Sequence, residues 1–184
     1  MAARSLLNPD LAGWRMAGPG GFRRTSEGAI ESFGGSGLFW YADAMFGDFV
    51  LSVEWRIAHP DDNSGVFLRC PPLDDDVHPA IEQGYEVQID DRGFDPETGT
   101  GGSPLHLTGA IYKLAPALRR NSKPVGAWNA FEIRALGTSI AVGLNGLEVA
   151  HLPNAQRRTV GHIALQNHHA GSAVRFRNLK IALP

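Results

Sequence analysis

The chain carries a single cysteine, Cys70, in 184 residues. One cysteine excludes an intramolecular disulfide framework, so a core must hold the fold, and the redox compartment stays undetermined. Cys70 closes the apolar run S64-G-V-F-L-R-C70, where it reads as an inert structural thiol. An excess of charge of one sign is also missing. With 17 Lys+Arg against 19 Asp+Glu the formal net charge is −2, which offers no electrostatic basis for binding nucleic acid or an anionic membrane. The basic pairs Arg119-Arg120 and Arg157-Arg158 are short and sit in turn-like sequence. No stretch approaches the roughly 18 apolar residues of a membrane helix, and the N-terminal MAARSLLNPDLAGW lacks an apolar core followed by a small-residue cleavage site. The expectation is a soluble chain, cytoplasmic, or secreted if a signal peptide has been trimmed. Its oligomeric state is left open.

Helical patterning is scarce as well. No segment repeats apolar residues at helical spacing over about 10–12 positions, and L114-A-P-A-L-R-R120 is the best candidate for one short turn. Several cofactor and catalytic motifs are missing: no G-x-G-x-x-G after a strand, no phosphate-binding loop, no G-x-S-x-G elbow. G34-G-S-G37 more simply permits a turn before a strand. No cofactor is expected. The histidines give no metal motif, because His168 and His169 are adjacent and should point to opposite faces. His162 and His168 would lie about 20 Å apart on an ideal strand. D74-D-D76 lacks a calcium-ligand spacing and reads as a solvated acidic turn. A divalent metal held by histidine and carboxylate from different strands stays open.

What the chain has in abundance is alternation. Strand-like runs recur at 29–33, 37–41, 48–57, 64–70, 85–90, 108–112, 128–135, 139–144, 147–151, 161–167 and 174–181. Most alternate apolar and polar residues with period two and are rich in β-branched or aromatic side chains. L144-N-G-L147 is a strong hairpin signal, because Asn-Gly tolerates the positive φ angles of a type I′ turn. About ten strands with frequent turns and almost no helix predict an all-β fold: a two-sheet antiparallel β-sandwich or jelly roll. The length suits one domain spanning 1–184. Two long irregular stretches, Pro71–Gln83 and Arg92–Leu107, interrupt the rhythm and flank the run at 85–90. Structureless loops of that length are uncommon in compact domains and often carry function.

Seven motifs in order, N63-S-G-V-F-L-R69, Y85-E-V-Q-I-D90, T108-G-A-I-Y112, W128-N129 with E132, L144-N-G146, G161-H-I-A-L-Q-N-H168 and F176-R-N178, resemble the 3-keto-disaccharide hydrolase family. L7-N with L11-A-G-W14, G34-G-S-G-L-F39 and F46-G-D-F-V-L51 resemble it too, so the likeness covers essentially the whole chain. The resemblance implies a concanavalin-like jelly roll acting on a small carbohydrate whose glucose unit is oxidised at C3.

Strand parity assembles a polar face. Glu86, Gln88 and Asp90 share one side of their run, Phe67 and Arg69 share one side of theirs, and Thr108 and Tyr112, like Gln166 and His168, fall together. Meeting on a concave sheet, these rows would form a sugar cleft, with Glu86, Asp90, His168 and Arg69 as candidate catalytic residues. Gln88, Tyr112, Gln166 and Asn63 are candidate substrate ligands. Glu86 and Asp90 would stand about 13 Å apart at Cα, whereas a two-carboxylate glycosidase needs about 5–9.5 Å between carboxyls. The substrate class implied by the resemblance suggests another route. A C3 ketone acidifies the C2 proton, so one base can initiate β-elimination, with water adding back. Glu86 or His168 could be the base, Arg69 or Tyr112 the enolate partner, and Asp90 the acid or orienter. The rival of a different class is a carbohydrate-binding module without turnover.

Overall fold

The computed structural model describes residues 3–184. It is an all-β sandwich of two antiparallel sheets in the concanavalin-like jelly-roll arrangement. The larger sheet runs, in spatial order, β11 (Leu147–Leu152), β10 (Ser139–Leu144), β9 (Asn129–Leu136), β6 (Phe49–Arg56), β13 (Arg175–Ala182), β4 (Ile30–Phe33) and β3 (Gly21–Arg24), with β1 (Arg4–Ser5) also paired to β13. The smaller sheet is β2 (Trp14–Ala17), β5 (Gly37–Tyr41), β12 (His162–Asn167), β7 (Ser64–Cys70) and β8 (Tyr85–Ile89).

Period-two patterning makes the sandwich. In β6, Phe49, Leu51, Val53 and Trp55 are buried while the residues between them are only partly covered. The register Val53↔Phe131 and Leu51↔Ile133 sets them beside the inward row of β9. Val66 and Leu68 of β7, Tyr85, Val87 and Ile89 of β8, and Ile163 and Leu165 of β12 close the core from the opposite sheet. Fully burying an aliphatic or aromatic side chain of this kind is worth about 1.5–3 kcal/mol, so one core of this extent dominates the fold. Asn145 (φ +50°) and Gly146 (φ +85°) make the tight turn that sets Leu144 opposite Leu147.

Three features differ from the sequence expectation. The one helix among the described residues, α1, is His78–Gln83 rather than 114–120, and it starts with proline in its first turn, where the missing N–H costs nothing. Residues 108–112 are not a strand. They follow the free edge of β8 through single bonds such as Thr108 N→Asp90 O and Tyr112 N→Glu86 O, and Gly109 turns at φ +89°, where a Cβ would meet Val149 Cγ2 at 2.6 Å. Finally, β1, β2 and β3 are absent from the predicted runs. They are two to four residues long, and in β2 the buried positions are Trp14 and Ala17, three apart, which hides the alternation.

Both faces of the smaller sheet are partly covered. On the face turned away from the core, Phe67 and Cys70 pack with Leu38, Trp40, Leu73 and Ala80, so α1 and the chain before it roof one end. Cys70 is fully buried, and burial pushes its thiol far above the usual range, which removes the reactive thiolate. Beyond that roof the same face opens into a cavity. No helix among the described residues is long and apolar enough to cross a membrane.

Candidate active site

The cavity, of about 550 Å³, is floored by β8 and β12. Because Tyr85, Val87 and Ile89 point into the core, Glu86 and Gln88 face the cavity. Pairing of Gly65 with Gln88 and of Val66 with both Val87 and Leu165 carries the row across β7 to Gln166. Gly65 decides where the acid lies. A Cβ there would stand 2.3 Å from Glu86 Oε1, so only glycine lets the carboxyl lie across the neighbouring strand. With its amide nitrogen turned toward acceptors, Gln88 donates to Glu86 Oε1 at 3.1 Å and to Ser64 O at 3.3 Å. Burial pushes the Glu86 carboxyl up to about 8, against a smaller downward pull from its hydrogen bond with Gln166. Glu86 is the only carboxylate among the described residues lining the cavity.

Asn63, Tyr112 and His168 complete the set that strand parity and the family resemblance group together, and all three line the cavity. Asn63 and Gln166 both line the cavity, although their amide oxygens, as placed, are buried without a protein donor. Burial also raises the Tyr112 phenol, keeping it a donor. His106 packs edge-on to the Tyr112 ring at 4.9 Å and is itself held by Ser103 Oγ, 2.7 Å from Nδ1. His168 does not point away from His169 as strand alternation predicts. The strand ends at Asn167, and the two Nδ1 atoms approach to 3.0 Å. Burial, His169 and Arg92 lower the His168 pKa and Asp90 partly offsets them, so the imidazole is held neutral, able to accept a proton. Among the described residues no group of three or more His, Cys, Asp or Glu side chains is placed to hold a metal ion.

Two expected members lie elsewhere. Arg69 is fully buried, and its guanidinium donates to Gly47 O (2.9 and 3.1 Å) and Gly137 O (2.9 Å), with Asp48 at 3.6 Å. Its φ is +53° and the β7–β12 register shifts opposite it. That bulge breaks the parity with Phe67 and turns Arg69 away from the cavity, to tie β7 to loops of the larger sheet. Asp90 is also fully buried and does not line the cavity. The strand stops at Ile89, so alternation no longer applies one residue later. Its carboxylate accepts from the backbone N–H groups of Arg92 (2.9 Å) and Phe94 (3.0 Å) and anchors the loop that follows.

The loop anchored by Asp90 supplies residues that strand parity does not identify. Arg92, Phe94 and Pro96 line the cavity, as do Lys113 after the Gly109 turn and Ile81 from α1. Their signal in the sequence is the two long irregular stretches themselves. Within such loops, nothing in the sequence says which side chain turns inward.

Residues 2–182 match the 3-keto-alpha-glucoside-1,2-lyase-like domain, and the chain belongs to that family of carbohydrate-active enzymes. A 3-keto-disaccharide hydrolase from Bacteroides thetaiotaomicron is 29% identical over 153 residues, 72% of this chain and 52% of its own length. The chain thus spans about half the length of that curated relative. A structure from Parabacteroides distasonis, described as a candidate glycosyl hydrolase, superposes with a TM-score of 0.80 at 27% identity over 100% of both chains. A carbohydrate-binding module from Bacillus subtilis shares the fold alone, with a TM-score of 0.64 at 16% identity over 92% of this chain and 96% of its own.

Proposed function

We propose that this chain cleaves 3-keto-glycosides by elimination started at C2, with Glu86 as the base. The single observation carrying this reading is one carboxyl, alone in the cavity and with its pKa pushed up to about 8. A base of that strength is matched to a proton made acidic by a neighbouring ketone, and positioned proton transfer is worth about 10²–10⁴-fold in rate. The Glu86 carboxylate takes the C2 proton, and the C–H electron pair becomes the enolate of the C3 ketone. The Tyr112 phenol donates to the enolate oxygen. The enolate collapses to a C1–C2 double bond as the C1–O bond breaks, and the glycosidic oxygen leaves with the proton now on Glu86. Addition of water across C1–C2, with neutral His168 as its base, completes a net hydrolysis. Asn63, Gln88 and Gln166 read the ring hydroxyls.

The conventional two-carboxylate route is disfavoured, because Asp90 is buried and occupied by the backbone of Arg92 and Phe94. The test is incubation with a 3-keto-disaccharide beside its unoxidised parent, following released monosaccharide. Release from the ketosugar alone is expected, with Glu86→Gln lowering it at least about 100-fold. Binding without turnover would reassign the chain as a sugar-binding module. Full activity in E86Q would remove Glu86 as the base.

A further inference from the structure

The cavity has a polar floor and an apolar rim. Glu86, Gln88, Asn63 and Gln166 make the floor. The rim is different in kind. Ile81, from α1, is 47% exposed and Phe94, from the loop after Asp90, is 40% exposed, and Pro96 lies in the same wall. Large apolar side chains left this open at the edge of a binding cavity mark a surface that a ligand covers. The charged groups of the rim each make one ion pair and keep their remaining N–H donors open. Arg92 is held by Asp90 at 3.4 Å, and Lys113 by Glu97.

The reacting ring must sit on the floor, since Glu86 has to reach C2. The group leaving from C1 then meets the rim. A second sugar there would lay part of its surface against Ile81, Phe94 and Pro96, where hydroxyls have no partner, and would find donors only at Arg92 and Lys113. An aromatic or alkyl group would bury carbon on carbon and stack on the Phe94 ring. We infer that the leaving-group subsite is built for an apolar, preferably aromatic, aglycone, so the substrate class is the 3-keto aryl glycoside rather than the 3-keto disaccharide. This rests on the elimination reading for where the sugar ring sits, and the apolar rim carries the rest.

The probes are benzyl 3-keto-glucoside, whose alcohol leaves no more readily than a sugar hydroxyl, and a 3-keto-disaccharide for turnover, with the unoxidised p-nitrophenyl glucoside and parent disaccharide for calorimetric binding. The wild-type chain should show kcat/KM at least about tenfold higher for the benzyl substrate, the discrimination an apolar pocket typically provides. Phe94→Ala and Ile81→Ala should each lower that value about five- to tenfold. In both variants the aromatic substrate should lose more than the disaccharide, so that the ratio of the two kcat/KM values falls, which a mere loosening of the fold would not do. Equal or better use of the disaccharide, or equal losses on both substrates in F94A, overturns the aglycone subsite and leaves the Glu86 chemistry standing. If neither ketosugar reacts but the aryl glucoside still binds more tightly than the disaccharide, and F94A abolishes that preference, the subsite stands and the reaction falls.

Discussion

Replacing Glu86 by glutamine should alter the pH dependence of stability more than stability at any one acid pH. In the unfolded chain this carboxyl titrates near 4.5, and in the folded chain burial pushes it up to about 8. The sign follows from proton counts. Between those values the folded state holds a proton that the unfolded state has lost, so raising the pH favours unfolding. Below 4.5 both states are protonated and above about 8 both are ionised, which confines the loss to that window. Each pH unit inside it costs about 1.4 kcal/mol, giving about 5 kcal/mol across the window if the shift is fully expressed. Water entering through the open cavity screens the ionised carboxyl and brings the expected figure nearer ~2–3 kcal/mol. Glutamine keeps the shape and cannot ionise, so E86Q escapes this loss. Urea unfolding of wild type and E86Q at pH 5 and pH 9 gives the difference directly. E86Q should gain about 2–5 kcal/mol on wild type between the two pH values. A gap that changes by less than about 0.5 kcal/mol would mean that Glu86 titrates as an ordinary surface acid. The desolvated carboxyl, and the single-base chemistry built on it, would then be wrong.

Activity should carry the same signature. For a 3-keto-glycoside substrate, kcat/KM is expected to rise with pH and level off above about 8, because the base form of Glu86 does the work. A fall over that range would instead mark Glu86 as an acid only. Gly65→Ala puts a methyl 2.3 Å from Glu86 Oε1, and should cut kcat at least about tenfold by evicting the carboxyl, with the β-sheet circular dichroism retained. Arg69→Met should destabilise the fold by about 2–4 kcal/mol, since Gly47 O and Gly137 O lose their buried donor. KM should be unchanged in the protein that remains folded, and a rise in KM would return Arg69 to the site.

The legibility of this chain divides along its strands. Where a run is long and regular, as in F49-V-L-S-V-E-W-R56 and N129-A-F-E-I-R-A-L136, burial follows the alternation residue by residue. Glu86 and Gln88 in one such run, and Gln166 in another, therefore fall on the cavity side by alternation alone. Parity fails where the backbone leaves the strand. Arg69 sits in a bulge with φ +53°, and Asp90 lies one residue beyond the end of β8. Each change in backbone direction sends the side chain to a face that counting by twos does not reach.

The amino-acid sequence by itself determined the sandwich, because period-two burial and the Asn-Gly turn are local properties of adjacent residues. It also determined that Glu86 and Gln88 share one face of their strand and that Gln166 stands opposite the apolar row of its own. Only the tertiary structure decided what surrounds these side chains. Gly65 opens room for the Glu86 carboxyl from a neighbouring strand. Asp90 commits its charge to the loop that carries Phe94 over the cavity, and α1 brings Ile81 to the same rim. These are contacts between segments distant in the chain. Desolvation, which pushes Glu86 up to about 8, is a property of everything packed around a group, and no reading of its neighbours in sequence contains it.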